Sequence, residues 1–125
     1  MTLLFDENIS HRVVAALKAL GHPVEHVLQI LPQGATDETI FREAGERGWC
    51  LVTQDKNIKR KKVQREAMKQ AGAGVFVFTG RARRSVDELT IVLLERMPEI
   101  LELAARTKPP FMFGIPDRGE VARLD

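Results

Sequence analysis

Five acidic side chains stand at points in the sequence where carboxylates could do chemistry together. Asp6 and Glu7 directly follow the first apolar segment of the chain, and Asp55 follows the third. Asp37 and Glu38 begin an amphipathic stretch between them. Each position also suits an ordinary structural role, because aspartate often caps helices and shapes turns, and acids favour helix N-termini. Only their occurrence together on one edge of a fold would point to a shared site.

Carboxylates brought together in this way form a site for a hard divalent cation. Two unit charges about 4 Å apart repel by about 4 kcal/mol at an effective dielectric near 20, and a bound cation relieves that repulsion. Oxygen ligands without a His or Cys cluster suit Mg²⁺ or Mn²⁺ better than zinc. Cys50 is the one cysteine, and its apolar neighbours indicate a buried core thiol. Mg²⁺ or Mn²⁺ is therefore the expected cofactor.

The charge of the chain is strongly polarised, although its net charge is only +2. Residues 56–84 contain ten Lys or Arg against one Glu, a net +9, which leaves −7 on the rest of the chain. A metal site beside such a segment is typical of phosphodiester hydrolysis that needs no covalent nucleophile. The basic residues predicted to contact the backbone of a nucleic acid are Lys56, Lys59, Arg60, Lys61 and Lys62.

The elements that must position these side chains alternate along the chain. Five short apolar segments, rich in β-branched and aromatic residues, are predicted as strands, and the amphipathic stretches between them as helices. Gly21 and Gly48 stand where helix C-termini are expected, and Ser85 with Glu88 predicts a capping box for the last helix. Pro98 is predicted to kink or split that helix. The order βαβαβαβαβ favours a three-layer α/β/α sandwich with a mainly parallel five-stranded sheet.

This topology brings distant acids to one edge. Ligands of open parallel α/β sheets bind at the carboxyl ends of the strands. Asp6 and Asp55 follow strands that end at that edge, and Asp37 opens a helix that begins there. We therefore expect Asp6, Asp37 and Asp55 to share one pocket, with Glu7 as a neighbouring candidate ligand.

Length and composition bound the class of protein. A chain of 125 residues that is 44% apolar fits one folded domain, predicted over residues 1–116, with a polar C-terminal tail at residues 117–125. No apolar run approaches the roughly 18 residues of a membrane span, and no signal-peptide pattern begins the sequence. One cysteine is typical of a reducing compartment. A cytoplasmic location without a membrane partner is expected.

Several segments together resemble the PIN-like domain family, specifically its short relatives of VapC-type toxin nucleases. The most telling is Thr53-Gln54-Asp55, which follows an apolar strand. The similarity extends from about residue 2 to residue 115. The matching segments are residues 4–8, 35–38, 45–49, 51–56 and 75–80. The resemblance implies an endoribonuclease that depends on Mg²⁺ or Mn²⁺, acting as the toxin of a toxin–antitoxin pair.

The resemblance also implies roles for individual residues and partners. Full-length PIN nucleases have a fourth acid on a separate helix, and here only Glu7 or Glu38 stands beside a matched position. The implied partners are an RNA substrate, single-stranded or structured, a cognate antitoxin protein and a second copy of the chain. The residues implied to bind metal and act in catalysis are Asp6, Asp37 and Asp55, with Asn8 and Thr53 as supporting polar groups.

Two other functions fit the same residues. A non-catalytic PIN-like module would bind RNA or a protein through the basic surface without cutting. A receiver-type phosphoacceptor domain would use the acidic pair at 6–7 with Asp55, Thr79 and Lys108. Its lysine should follow the fifth strand, whereas Lys108 precedes it.

Overall fold

One sheet forms the centre of the fold in the computed structural model, which describes residues 1–81 and 85–125. The described strands are β1 (Leu3–Phe5), β2 (Val24–His26), β3 (Cys50–Thr53), β4 (Gly74–Phe78), β5 (Phe111–Ile115) and β6 (Ala122–Arg123). Their spatial order is β2-β1-β3-β4-β5-β6. The first five are mutually parallel, and β6 is antiparallel to β5. The α/β class and the mainly parallel sheet are therefore confirmed.

Helices cover both faces of this sheet. The described helices are α1 (His11–Ala19), α2 (Asp37–Arg47), α3 (Asn57–Arg60), α4 (Lys62–Ala71) and α5 (Val86–Arg106), with a short 3₁₀ turn at Val27–Gln29. The side chains of a strand alternate between the two faces, so Cys50 and Val52 pack with α1 and α5, whereas Leu51 packs with α2 and α4. The result is the expected three-layer sandwich. Cys50 is a core thiol, and burial raises its pKa to about 11.

The local signals that end and begin helices act as predicted. Gly48 caps α2 with a positive φ of 69°, a conformation that only glycine adopts without strain. Ser85 and Glu88 form the full capping box of α5. The split expected at Pro98 does not occur, because α5 runs through it as one helix. Met97 and Ile100 on either side of it are fully buried, and this packing offsets the lost backbone hydrogen bond.

The C-terminal segment adds a sixth strand that the sequence does not predict. Val121 is buried, and its backbone N–H donates to Glu99 Oε1 at 3.2 Å. Arg96 Nη2 on α5 donates to the carbonyl of Pro116 at 3.0 Å. The segment is thus attached to α5 and β5. A two-residue strand with exposed side chains leaves no apolar pattern in the sequence, and this is why only five strands were expected.

The strand order places a crevice between β1 and β3. The chain leaves β1 toward β2 on one side and returns to β3 on the other, and ligand sites of doubly wound sheets form at such a reversal. Phe5 lies level with Val52, so Asp6 and Thr53 stand side by side at the carboxyl edge. Among the described residues, no helix is both long and apolar enough to cross a lipid bilayer.

Candidate active site

Asp6 is the central acid of this edge and is buried. Its Oδ2 accepts a short hydrogen bond from the Thr53 hydroxyl, and its Oδ1 accepts one from the Asn8 backbone N–H at 3.1 Å. Burial raises the pKa of Asp6 to about 6; the hydrogen bonds from Thr53 and Asn8 oppose the rise, and the charges of Asp55 and Asp37 add to it. Asp6 therefore lies within electrostatic reach of both other acids.

Thr53 links Asp6 to Asp55. Its hydroxyl donates its one proton to Asp6 and accepts a hydrogen bond from the Asp55 backbone N–H at 2.9 Å. Asp55 in turn accepts the Asn57 backbone N–H at its Oδ1, also at 2.9 Å, which forms the turn that leads into α3. Asp55 Oδ2 accepts no hydrogen bond from the part of the chain that the structure describes. Asp55 thus keeps one oxygen free for a ligand.

Asp37 reaches the same place from the first turn of α2. Thr36 caps this helix by accepting the Thr39 backbone N–H at 3.2 Å, and so fixes where Asp37 begins it. Asp37 Oδ2 accepts a hydrogen bond from Gln64 Nε2 on α4 at 2.6 Å. The two helices approach closely, since Gly45 of α2 lies against the Ala71 carbonyl of α4 and leaves no room for a side chain. Close helix packing therefore holds Asp37 and Gln64 together.

Gln64 is the residue of the site that sequence reasoning missed. Its Oε1 is buried and, within residues 1–81 and 85–125, finds no hydrogen-bond partner. A buried amide oxygen without a donor leaves a polar group that a solvent molecule or ligand would satisfy. Nothing in the sequence separates Gln64 from the other polar residues of α4, because its contact with Asp37 is made between two helices.

One narrow cleft joins these acids. Its cavity volume is about 10 Å³, roughly the space of one water molecule. Carboxylates face an apolar wall across it, which limits access of bulk water. The residues lining the cleft are Asp6, Asp37, Thr53 and Asp55 on the polar side and Ile40, Phe41, Leu51 and Ile58 on the apolar side.

The acids share the cleft without forming a ready-made cage. No group of three or more His, Cys, Asp or Glu side chains converges as a metal site among the described residues. This arrangement still fits Mg²⁺, which typically keeps several waters and is held by one or two carboxylates plus substrate phosphates. The free Asp55 oxygen and the all-oxygen donor set of the cleft fit such an ion. The residues of the cleft therefore suit a partly hydrated cation.

Glu7 and Asn8 make contacts that differ from the roles predicted for them. The Glu7 carboxylate accepts the Gly34 backbone N–H at 2.7 Å and does not line the cleft. Asn8 contributes its backbone, through the N–H that contacts Asp6 and a carbonyl that accepts Gln54 Nε2 at 3.4 Å. The structure thus brings Asp6, Asp37, Asp55 and Thr53 together and leaves Glu7 outside.

The basic residues predicted to contact nucleic acid differ in their availability. Lys56 Nζ donates to the Gly80 carbonyl at 2.6 Å, so its charge is tied to the protein backbone. Lys59 on α3 is half-buried, and the next three are exposed. The basic run of residues 59–62 forms no ion pair with an acidic side chain of the described residues. The run comprises Lys59, Arg60, Lys61 and Lys62. Arg83 and Arg84, which contribute to the basic charge of residues 56–84, lie outside the described residues.

Fold and cleft together define a doubly wound α/β protein with an oxygen-ligand site at its switch point. A family model described as a PIN-like domain matches residues 1–80, which include all three acids of the cleft. The chain therefore belongs to the PIN-like domain family, as the resemblance implied, and this superfamily includes nucleases. No curated protein and no solved structure matches the chain.

The lysine predicted for the receiver-type alternative does not lie at the edge of the sheet that carries the acids. Lys108 precedes β5, and because β5 is parallel to β1 and β3, this lysine lies at the opposite edge of the sheet from Asp6 and Asp55. The residues predicted for a phosphoacceptor site therefore do not come together, because Lys108 lies away from the acids.

We expect Gln64→Glu to lower the free energy of unfolding at pH 7 by about 1–2 kcal/mol, since it replaces a hydrogen bond worth about 1 kcal/mol with a like-charge contact. Urea denaturation at pH 7 measures the effect. Gln70→Glu is the matched control, because Gln70 is exposed on the same helix and makes no hydrogen bond with the described residues. Equal losses in the two variants would show that Gln64 does not hold Asp37.

Proposed function

We propose that this protein is an endoribonuclease that depends on Mg²⁺ or Mn²⁺ and serves as the toxin of a toxin–antitoxin pair. The observation that supports it most is the cleft, in which Asp6, Asp37 and Asp55 line one ion-sized space at the carboxyl edge. Membership of a superfamily that includes nucleases supports the reaction class. The charge of residues 56–84 supports a polyanionic substrate.

Each side chain of the cleft has a role in this proposal. Asp6 and Asp55 would hold the cation, and Asp37, which also lines the cleft, would contact its water ligands. Gln64 Nε2 would keep Asp37 in place. When bound, the cation supplies Lewis-acid stabilisation of phosphate charge and a water of lowered pKa. Thr53 fixes the Asp6 carboxylate and, by giving its proton to Asp6, keeps its own oxygen turned to Asp55. The Ile40 and Phe41 side chains form part of the apolar wall of the cleft.

The cleft favours hydrolysis by water over covalent catalysis. Its described lining includes no Ser, Cys, His or Lys, and the Thr53 hydroxyl is committed to two hydrogen bonds. Asp55 Oδ2 and Asp37 Oδ1 accept no hydrogen bond from the described residues. Because Asp55 Oδ2 is assigned to the cation, Asp37 Oδ1 is the atom that would accept the proton of an attacking water.

Metal dependence is the direct test of the proposed reaction. We expect the purified protein to cut labelled single-stranded RNA with Mg²⁺ or Mn²⁺, to stop on chelation with EDTA and to resume when the metal is restored. Because the substrate of a toxin is often narrow, the assay includes total cellular RNA as well as oligonucleotides. The readout is the appearance of new fragments on a denaturing gel. Cleavage that continues in EDTA would contradict the mechanism.

A toxin role gives a separate cellular outcome. Expression of the wild-type protein is expected to arrest growth, and expression of Asp6→Asn at the same level is not. Normal growth with the wild-type protein, despite cleavage in vitro, would remove the toxin assignment and leave the ribonuclease.

A non-catalytic PIN-like module is the second candidate, and one observation favours it. The three acids share a cleft but do not converge as a three-ligand cage among the described residues. A module of this kind would bind RNA or a partner protein without cutting. RNA binding without any fragment, in either metal and on total cellular RNA, would select this function.

A further inference from the structure

A second cavity, separate from the cleft, lies along one side of α4. Its volume is about 280 Å³, and its rim is cationic whereas its floor is apolar. We call it the α4 groove. Its rim carries Lys59, Lys62, Arg65 and Lys69, and its floor includes Met68 and Met112. It extends to the C-terminal residues Leu124 and Asp125 beside the β5–β6 edge.

The cations of the α4 groove are largely unneutralised. Lys59, Lys62 and Lys69 form no ion pair with any acid in the described ranges, and the Arg65 guanidinium donates to the Lys59 carbonyl at 3.0 Å. Glu66 is the acid on the groove side of α4. Asp125, at the far end, is paired with Arg123 at 2.8 Å. Four cations against the two acids Glu66 and Asp125 leave the lining of the groove with a net positive charge, which attracts an anionic partner.

The spacing of these cations suits a linear polyanion. Lys62, Arg65 and Lys69 are three and four positions apart, so they share one face of α4 and span about 10 Å along its axis. Partners with single isolated charges would not match a row of this length. The floor of Met68 and Met112 offers apolar contact, and among the described residues no aromatic side chain lines the groove for base stacking. Recognition there would therefore depend on the backbone of the ligand.

Residues that are neighbours in sequence line the cleft and the α4 groove. Ile58 lines the cleft and Lys59, the next residue of α3, lines the groove. Gln64 turns from α4 toward Asp37 in the cleft, while Arg65 beside it turns to the groove. The end of α3 and the start of α4 thus separate the two sites, and an RNA strand that occupied both would pass around this end of α4.

We propose that the α4 groove binds the sugar–phosphate backbone of the single-stranded segment that leads away from the cleft, without regard to base sequence. The identity of the polyanion as RNA rests on the proposed function. The groove is partly open to solvent and has a volume of about 280 Å³, which suits the extended backbone of one strand. Phosphate contacts made by Lys62, Arg65 and Lys69 would set the register of the RNA but not its specificity.

Salt-dependent binding without metal tests the α4 groove independently of cleavage. The probe is a fluorescent single-stranded RNA of mixed sequence, titrated in EDTA and followed by anisotropy. The variant replaces Lys62, Arg65 and Lys69 with Gln, and the control replaces Arg12, Lys18 and Arg106 with Gln. The control cations are exposed on α1 and α5, on the opposite face of the sheet.

We expect the α4 variant to lower the log–log salt slope by about 2, because each phosphate contact contributes about 0.7 for a single strand. Between 50 and 200 mM salt, its affinity should then fall roughly 20-fold less than that of the wild type. The control should keep the wild-type slope. Both variants should melt near the wild-type temperature, because exposed substitutions change stability by about 0.5 kcal/mol or less.

Three outcomes would overturn the assignment. One is a slope of the α4 variant that equals that of the control. Another is a slope change that depends on the base sequence of the probe. A third is an equal effect on a blunt duplex RNA, since this would replace the single strand with a double-stranded ligand. If the wild-type protein binds RNA in EDTA through the α4 groove but never cleaves RNA, the binding site is supported and only the proposed nuclease activity is contradicted.

Discussion

Replacing Asp6 with Asn is expected to slow RNA cleavage by at least about 10³-fold while leaving RNA affinity equal or slightly higher. Asn keeps the shape and a hydrogen-bonding oxygen but removes the charge that holds the cation. Loss of that ion removes several kcal/mol of stabilisation, and about 4 kcal/mol corresponds to roughly 10³ in rate. Affinity does not fall, because a carboxylate without its ion repels a phosphate. Single-turnover cleavage and binding in EDTA measure the two quantities separately.

Asp55→Asn should have the same effect, and neighbouring acids provide matched controls. Glu7→Gln removes one charge beside Asp6, but Glu7 faces Gly34 and does not line the cleft, so cleavage should stay near wild type. Loss of activity in Glu7→Gln equal to that in Asp6→Asn would show that net charge, and not the cleft, controls the reaction.

Asp37 has an even closer control in the same helical turn. Asp37→Asn and Glu38→Gln remove the same favourable charge from the N-terminus of α2. Of the two, only Asp37 lines the cleft, while Glu38 lines a separate cavity between α2 and α4 together with Arg42. Cleavage should fall in Asp37→Asn and persist in Glu38→Gln. Equal activity in both would reduce Asp37 to a charge that stabilises the helix.

The sequence was most informative where local pattern and chain topology act together. Asp6 and Asp55 each follow an apolar strand, and parallel strands end at the same edge of a sheet. The order of the elements along the sequence was therefore enough to predict that Asp6 and Asp55 lie close together. The position of Asp37 could be predicted for the same reason, because a helix that follows β2 starts at that edge. Capping at Ser85 was predictable, since it depends on residues three apart.

Contacts between different helices could not be predicted from the sequence. Gln64 meets Asp37 only because α2 and α4 pack closely at Gly45, and no local pattern encodes that meeting. The run 59–62 reads as one basic unit, but the chain turns at Lys61 between α3 and α4, and Lys59 and Lys62 line the α4 groove. Which cations of the run share the groove is therefore decided by how α3 and α4 pack, and not by their order in the sequence.

The last expected result concerns the pH dependence of stability. The pKa of Asp6 is raised from 3.8 to about 6 in the folded protein, chiefly because the carboxyl is buried. The folded state therefore holds a proton more tightly than the unfolded state does. The stabilisation this gives is fully present below pH 3.8 and is lost as the pH rises through about 6. A shift of this size corresponds to about 3 kcal/mol, since one pKa unit is about 1.4 kcal/mol.

Asp6→Asn isolates this contribution, because Asn does not titrate. In EDTA, the stability of Asp6→Asn relative to wild type should rise by about 2.4 kcal/mol between pH 4 and pH 8, as measured by urea denaturation. Glu7→Gln, at an exposed acid, should show no comparable rise. A constant difference between Asp6→Asn and wild type across this range would mean that folding does not penalise the Asp6 charge.

Binding of a metal ion should offset the free-energy cost of the charged Asp6 carboxylate, so a stability measurement can also test the proposed metal site. Above pH 6 the charged Asp6 is held near Asp37 and Asp55, and a cation that binds only the folded state stabilises it by mass action. At 100 times its dissociation constant, Mg²⁺ or Mn²⁺ should add about 2.7 kcal/mol to wild type at pH 8 and much less to Asp6→Asn. A smaller gain at pH 5 is also expected, because protons then compete for Asp6. An equal gain in both proteins would place the cation elsewhere, so this measurement tests the site without requiring the RNA target.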